Sequence, residues 1–130
     1  MRFEPMVTDE ELVAKLKEFA PDVVYAFDPE ADSVQASDFF MYAPIKILLP
    51  EEQRYLYQEM LIVHVSVHRD GNLEWEILEA LQELGLYIRE VQYDSTMLTD
   101  RQNRADVLAI TVWRKVKDHA PSRVARMVNR

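Results

Sequence analysis

Apolar residues recur at helical spacing in two segments of this 130-residue chain. Before the first segment, Thr8 and Glu11 form a capping-box pattern, in which each side chain binds the other residue's backbone amide. The apolar stripe that follows is Leu12, Val13, Leu16 and Phe19, and we expect the helix to stop at Pro21. In the second segment, Asn72 is the expected N-cap and Gly85 the expected residue after the helix. Its apolar positions are Leu73, Ile77, Leu78, Leu81 and Leu84, so we predict two amphipathic helices.

In the other apolar segments, apolar and polar residues alternate or the apolar run is short, and both patterns predict strands. They are residues 23–27, 39–42, 45–49, 60–68, 86–93 and 107–116. In the strongest of them, Leu61 and three valines share one face, while the other face carries a more polar set that includes His64. This pattern is typical of a sheet covered on one side. Because Pro44 cannot donate to a ladder, we predict an edge strand or two short strands around it.

The longest predicted connection runs from Asp94 to Asp106. Its 13 residues surround Met97 and Leu98, and they exceed the length that a hairpin turn needs, so we expect a functional or mobile loop. The element order is α-β-β-β-α-β-β. The economical way to bury both helical stripes is an α+β fold of two layers, with a mostly antiparallel sheet and both helices on one face. Residues 1–117 would form a single domain, and residues 118–130 a basic tail or a short helix.

Charge divides the chain into an acidic body and a basic end. The formal net charge is −8, with 15 lysines and arginines against 23 acids. Six of the basic residues, but only one acid, lie from Arg114 onward. Such an end can touch a phosphate backbone or an acidic partner, or it can simply balance its own body or a neighbouring copy. Without interleaved stacking aromatics it is a poor signature of nucleic-acid binding.

Composition excludes several classes of site. Two glycines, Gly71 and Gly85, cannot build a dinucleotide-binding or phosphate-binding loop. A chain without cysteine has no disulfide, thiolate metal site or cysteine nucleophile. The apolar runs are too short to span a membrane, and the first residues lack the apolar core of a secretory signal. We therefore expect an intracellular protein that does not bind membranes.

No catalytic or metal-binding constellation is visible in the sequence. His64 and His68 share a strand face but would lie about 13 Å apart, too far to hold one metal. We expect those two on a half-exposed sheet face, and His119 on the surface. The five serines lack a nucleophile elbow, and Glu74 and Glu76 at a helix start are explained by the helix dipole. We therefore predict no catalytic residue, no metal, no cofactor and no small-molecule substrate.

Aromatic residues near the predicted sheet edge suggest a protein interface. At exposed edges such side chains bury much area at little entropic cost, and they are enriched in protein contacts. Singly, each is explained slightly better as a cap on the core of its own domain; together they predict at least one intermolecular contact. The candidate interface residues are Phe39, Phe40, Tyr42, Tyr55, Tyr57, Met97 and Leu98.

Several segments follow one another in a recognisable succession. They are Val23 to Phe27, Tyr42 to Pro44, Gln58 to Val67, the helix ending in Gly85-Leu86, and the hairpin from Tyr87 to Val116. Over residues 8–117 this succession resembles the tail terminator or tail-completion proteins of long-tailed bacteriophages. The acidic segment Asp28–Asp38 and the basic end after Arg114 have no counterpart in that pattern.

The resemblance implies a structural role without chemistry. Proteins of this family close the end of the tail tube as a hexameric ring, stop its growth and present a face to the head-side connector, while DNA passes through the ring. It therefore implies a homohexamer at the head–tail interface of a virion, assembled in the host cytoplasm, with tube and connector proteins as partners. By analogy we expect a heterologous interface between subunits. An acidic lumen would let DNA slide, and the candidate tail contacts Arg123, Arg126 and Arg130 would clamp a neighbour.

An alternative from another class is a small acidic inhibitor or regulator that binds a basic partner. The acidic segment Asp28–Asp38 and the acidic body motivate this hypothesis, in which the protein would mimic the charge of a nucleic acid. Against it, the acids are scattered, and several are explained as helix-start residues. A third hypothesis, a small-molecule-binding enzyme, lacks glycine loops, convergent polar motifs and metal-ligand spacing.

Overall fold

A computed structural model describes residues 2–28, 38–49, 55–67, 71–98 and 103–119 of the chain. It contains two helices and six strands in these residues. In chain order they are β1 (Phe3–Pro5), α1 (Asp9–Leu16), β2 (Asp22–Tyr25), β3 (Asp38–Leu48), β4 (Tyr55–Ser66), α2 (Leu73–Leu84), β5 (Tyr87–Leu98) and β6 (Asn103–Asp118).

Strand β6 holds the sheet together. One of its edges pairs with β4 along residues 106–117, and the other pairs with β5 over residues 103–113 and with β1 over residues 116–118. Beyond β4 the sheet continues through β3 to β2. Every pair is antiparallel except β2 with β3, which is parallel.

The α+β class with two helices is confirmed, but the predicted order and antiparallel sheet match only in part. A strand precedes the first helix, and the sheet is mixed. Strand β1 is three residues long and too short for its pattern to be recognised. The segment between β2 and β3 is 12 residues long, which is enough for the crossover that a parallel pair requires.

Helix α1 begins as predicted. The Glu11 amide donates to Thr8 Oγ1 at 3.1 Å, and the Thr8 amide donates to Glu11 Oε1 at 3.4 Å, which completes the capping box. Leu12 and Leu16 are buried beneath the helix. The helix ends at Leu16, earlier than the predicted stop at Pro21, and turns follow it.

Helix α2 ends at Gly85, whose φ of 111° lies in the left-handed region. The Gly85 and Leu86 amides close the helix on the carbonyls of Gln82 and Leu81. Asn72 occupies the N-cap position, but its side chain makes no capping hydrogen bond. Neither described helix has the length and apolar character needed to cross a bilayer.

The segment around Pro44 is one strand, which corrects the prediction of two short strands. The alternative prediction, an edge strand, holds for its second half, which pairs with β4 alone among the described strands. Strand β3 runs from Asp38 to Leu48 between two neighbours, β2 and β4. The register with β4 shifts between Pro44 and Lys46. A bulge at this point accommodates the residue that cannot donate, and the strand continues beyond it.

The predicted loop from Asp94 to Asp106 is mostly strand, which corrects a second expectation. Strand β5 continues to Leu98 and β6 begins at Asn103, with Leu98 and Asn103 as register partners. Polar composition misled the prediction because strand pairing uses backbone groups, whose partners on another segment are not visible in the polarity of the side chains.

Both helices pack against one face of the sheet, called here the helix face. It carries Phe40, Met60, Ile62, Leu108, Ile110 and Val112, all fully buried or nearly so. Leu12 and Leu16 of α1 and Ile77 and Leu81 of α2 complete this core. The helices therefore cover the face that carries His64, whereas the face with Leu61 and the valines lies opposite.

Arg114 joins α1 to the sheet. Its side chain lies on the helix face and is only 6 % exposed. The guanidinium donates to the Val7 carbonyl at 3.1 Å, to Gln58 Oε1 at 3.2 Å and also to Asp9 in the first turn of α1. Composition assigned Arg114 to the basic end of the chain; it is in fact a buried link between the helix start and the centre of the sheet.

Candidate assembly surface

The side of the sheet opposite the helices, called here the open face, is apolar at one end. Alternation along β3, β4 and β6 brings together Phe39, Val65 and Ala105, which are buried, with Met41, Val63, Val67 and Val107 packed around them. No helix among the described residues covers this face. An apolar sheet face of this kind needs a further layer to leave water completely.

The other end of the open face carries an aromatic–basic cluster, made of Tyr55, Tyr57, Tyr87, Arg89, Trp113 and Lys115. The Tyr57 ring lies 5.7 Å from that of Trp113 and 6.1 Å from that of Tyr87. The Arg89 guanidinium lies 4.1 Å from the centre of the Trp113 ring. Lys115 Nζ lies 4.6 Å from the centre of the Tyr55 ring, so the cations rest on the rings.

A β-bulge positions Arg89 in this cluster. Ile88 pairs with Val112 and Glu90 with Thr111, so Arg89 is the extra residue of β5. Bulges redirect side chains in this way. Arg89 was not among the predicted interface residues, because nothing in the local sequence pattern marks a one-residue register shift.

Three of the four lysines and arginines named on the open face have no carboxylate partner among the described residues. Arg89, Lys115 and Lys117 form no ion pair with a described residue, whereas Lys46 on the same side pairs with Glu59 at 3.5 Å. Lys117 is exposed. This end of the sheet therefore presents three cations without a described ion-pair partner, on a protein whose net charge is −8, and Glu4, Glu59 and Glu90 share the face with them.

The second half of β3 forms an apolar sheet edge. Strand β2 pairs only with Phe39 to Tyr42, so the chain beyond Pro44 has a partner on its β4 side alone among the described residues. Ile45, Ile47 and Leu49 are large and exposed there, Ile47 at 58 %. Unpaired backbone groups beside exposed apolar side chains can pair with another chain.

The predicted interface residues separate into different places. Tyr55 and Tyr57 lie in β4, within the aromatic–basic cluster, and therefore inside the strand that was predicted to begin at residue 60. Phe39 is 9 % exposed on the open face. Phe40 is 0 % exposed in the core, so we remove it from the candidate interface.

Tyr42 also faces the helix side, where its ring packs 5.4 Å from that of Tyr25. The pKa of Tyr42 is raised, and burial of the phenol is the largest cause. The charges of Asp9, Tyr25 and Glu10 raise it further, whereas Arg114 lowers it. Met97 and Leu98 lie in β5, at the end of the hairpin. The predicted tail contacts Arg123, Arg126 and Arg130 lie outside the described residues.

His64 is a core residue, which corrects the expectation of a half-exposed sheet face. Its ring is 0 % exposed, stacks on Phe40 at 4.5 Å and places Nε2 2.6 Å from Asp38 Oδ1. His119 is exposed and contacts Glu4, while His68 lies outside the described residues. In the described ranges, no three histidine, aspartate or glutamate side chains cluster closely enough to hold a metal.

No protein-family model matches this chain, and a search of curated proteins finds no match either. The geometry of the described surfaces therefore carries the functional argument. The aromatic–basic cluster and the apolar edge of β3 are both suited to contact with another protein surface.

Proposed function

We propose that this chain is a structural subunit that assembles with copies of itself into a homohexameric ring. In this proposal the ring closes the end of a phage tail tube and joins it to the head connector. The observation that carries the proposal is the apolar edge of β3, with Ile45, Ile47 and Leu49 exposed beside backbone that no described strand pairs on this side. Monomeric proteins protect such edges, usually with charges or short strands.

The succession of elements supports the specific role. It resembles that of tail terminator and tail-completion proteins over most of the chain. The proposed partners are the tail-tube protein on one side of the ring and connector proteins on the other, in the virion. DNA would pass through the lumen without sequence-specific contacts, and a net charge of −8 would keep the wall from retaining it.

The first test measures the assembly state directly. Native mass spectrometry and negative-stain imaging at high protein concentration, with a divalent cation, should show rings of about 92 kDa, six times the 15.3 kDa of the chain. Purified protein added to growing tail tubes should stop their elongation. A chain that stays monomeric under all these conditions and leaves tube growth unchanged would contradict the proposal.

A matched pair of variants tests the β3 edge. Ile45→Lys with Ile47→Lys should abolish assembly, because lysines on an edge oppose strand pairing and desolvation. Ala14→Lys, at an exposed position of α1 away from the β3 edge and the aromatic–basic cluster, is the control and should assemble normally. Circular dichroism should show both variants folded. Equal assembly of the two variants would remove the β3 edge from the interface.

A second candidate function is an acidic inhibitor of a basic partner protein. It is favoured by α2, which carries Glu74, Glu76, Glu79 and Glu83 and no basic residue. A pull-down from host lysate separates the two functions. Stoichiometric recovery of a nucleic-acid enzyme would favour the inhibitor, whereas recovery of tail-tube and connector proteins would favour the ring.

A further inference from the structure

Helix α2 presents an acidic ridge to solvent, made of Trp75, Glu76, Glu79, Gln82 and Glu83. These residues lie opposite the buried Ile77 and Leu81, and all five are exposed, Trp75 at 63 %. Exposed tryptophan is uncommon on a free surface and is enriched at the centre of protein interfaces. The ridge therefore combines an apolar anchor with several carboxylates.

The charges on this ridge are unfavourable for the helix itself. Glu79 and Glu83 are four residues apart, the spacing at which like charges repel. Glu83 lies near the C-terminus, where the helix dipole favours cations, and the last turn contains no basic residue. No ion pair between described residues involves α2. A cationic partner placed on the ridge would relieve both repulsions.

The open face of the same protein offers the complementary surface. Its aromatic–basic cluster and Lys117 supply cations without carboxylate partners, beside rings that can receive an indole. Lys115 and Lys117 are two residues apart on a strand, about 7 Å. Glu79 and Glu83 are four residues apart on a helix, about 6 Å along its axis. The two pairs therefore match in sign and in spacing.

We propose that the acidic ridge of α2 docks on the aromatic–basic cluster of a second copy of this chain. Trp75 then packs among the rings, and Glu79 and Glu83 meet Lys115 and Lys117. The helix of one subunit then covers the cluster end of the next subunit's open face. The inference rests on the proposed self-assembly and specifies which surfaces meet.

The placement of the two surfaces determines the type of interface. The ridge lies on the helix side of the sheet and the cluster on the opposite side, so each subunit uses two different surfaces. Contacts of this kind are heterologous, and repetition builds a closed ring or an open filament, not an isolated dimer.

Charge reversal tests the pairing. In one variant Glu79 and Glu83 become lysine, and in the other Lys115 and Lys117 become glutamate. Each variant alone should associate at least about tenfold more weakly than the native chain, because like charges then face each other. Mixed in equal amounts, the two variants should assemble again, in alternation and with an even number of subunits.

The control keeps net charge unchanged and alters another exposed site. Lys17→Glu with Glu18→Lys, just after α1, should assemble as the native chain does. Circular dichroism and urea midpoints establish that each variant is folded, and recovery on mixing shows it independently. Native mass spectrometry and sedimentation at low and high salt report the assembly.

The outcomes distinguish this inference from the proposed function. If the reversed variants assemble like the native chain, the ridge–cluster contact is wrong while the ring proposal stands. If they dissociate but the mixture does not reassemble, the two surfaces do not face each other and the inference is also overturned. If the native chain itself never associates, the proposed function fails and this interface fails with it.

Discussion

Replacing Arg114 by methionine tests whether a residue from the basic end of the sequence holds the core together. Methionine keeps an unbranched chain of similar reach and removes the guanidinium. The lost contacts are the hydrogen bonds to the Val7 carbonyl at 3.1 Å and to Gln58 Oε1 at 3.2 Å, with the ion pair to Asp9. The perturbation is therefore confined to one polar link between α1 and the sheet.

The expected cost follows from the burial of each partner. Val7 is 4 % exposed, so its carbonyl loses a donor that water cannot readily replace, at about 1–3 kcal/mol. The half-buried Gln58 loses a partner worth about 1 kcal/mol. The Asp9 side chain is 47 % exposed and rehydrates, so the ion pair itself adds little. We expect Arg114→Met to lower the free energy of unfolding by about 2–4 kcal/mol.

Urea unfolding followed by circular dichroism measures this cost. With a slope of about 1.5 kcal/mol per molar urea, the midpoint should fall by about 1–3 M. Two protein concentrations establish whether assembly contributes to the midpoint. The matched control is Asp9→Asn, which should cost less than about 1 kcal/mol because the Arg114 contacts to Val7 and Gln58 remain. An Arg114→Met protein as stable as the native chain, or an equal loss in both variants, would refute the reasoning.

Two further predictions concern single positions. Gly85→Ala should lower the free energy of unfolding by about 1 kcal/mol, because φ at this residue is 111° and an L side chain is strained there. The control is Gly71→Ala, where an added Cβ meets no atom within 4 Å. Equal urea midpoints for the two variants would contradict this prediction. Burial raises the pKa of Tyr42, with Asp9 adding to it, so the folded state holds the phenol proton more tightly than the unfolded state does. The corresponding stability is complete below the ordinary tyrosine pKa of about 10 and is lost as pH rises through the folded pKa. Tyr42→Phe should lack this alkaline loss, and a constant difference in unfolding free energy between the two proteins from pH 8 to pH 11 would exclude the effect.

The candidate surfaces were only partly accessible to sequence reasoning. Tyr55 and Tyr57 were expected at an interface and lie in the aromatic–basic cluster, but their partners Arg89 and Trp113 come from strands far along the chain. Phe40 had the same aromatic signal and lies in the core. The sequence signal of an aromatic residue is the same in the core and at an interface, because its burial depends on which sheet face the helices cover.

Local physics explains what the sequence determined by itself. The capping box at Thr8 and the left-handed end at Gly85 depend on residues within one helical turn, so their spacing was sufficient to predict both helices. Tertiary structure alone decided the rest. On β4 both faces carry apolar side chains, Ile62 on one and Val65 on the other, so alternation could not show which face the helices would cover. Pairing between distant strands decides which face the helices cover, because register is a property of two segments and not of either one. The same pairing buries Arg114 on the helix face and places the aromatic–basic cluster on the open face.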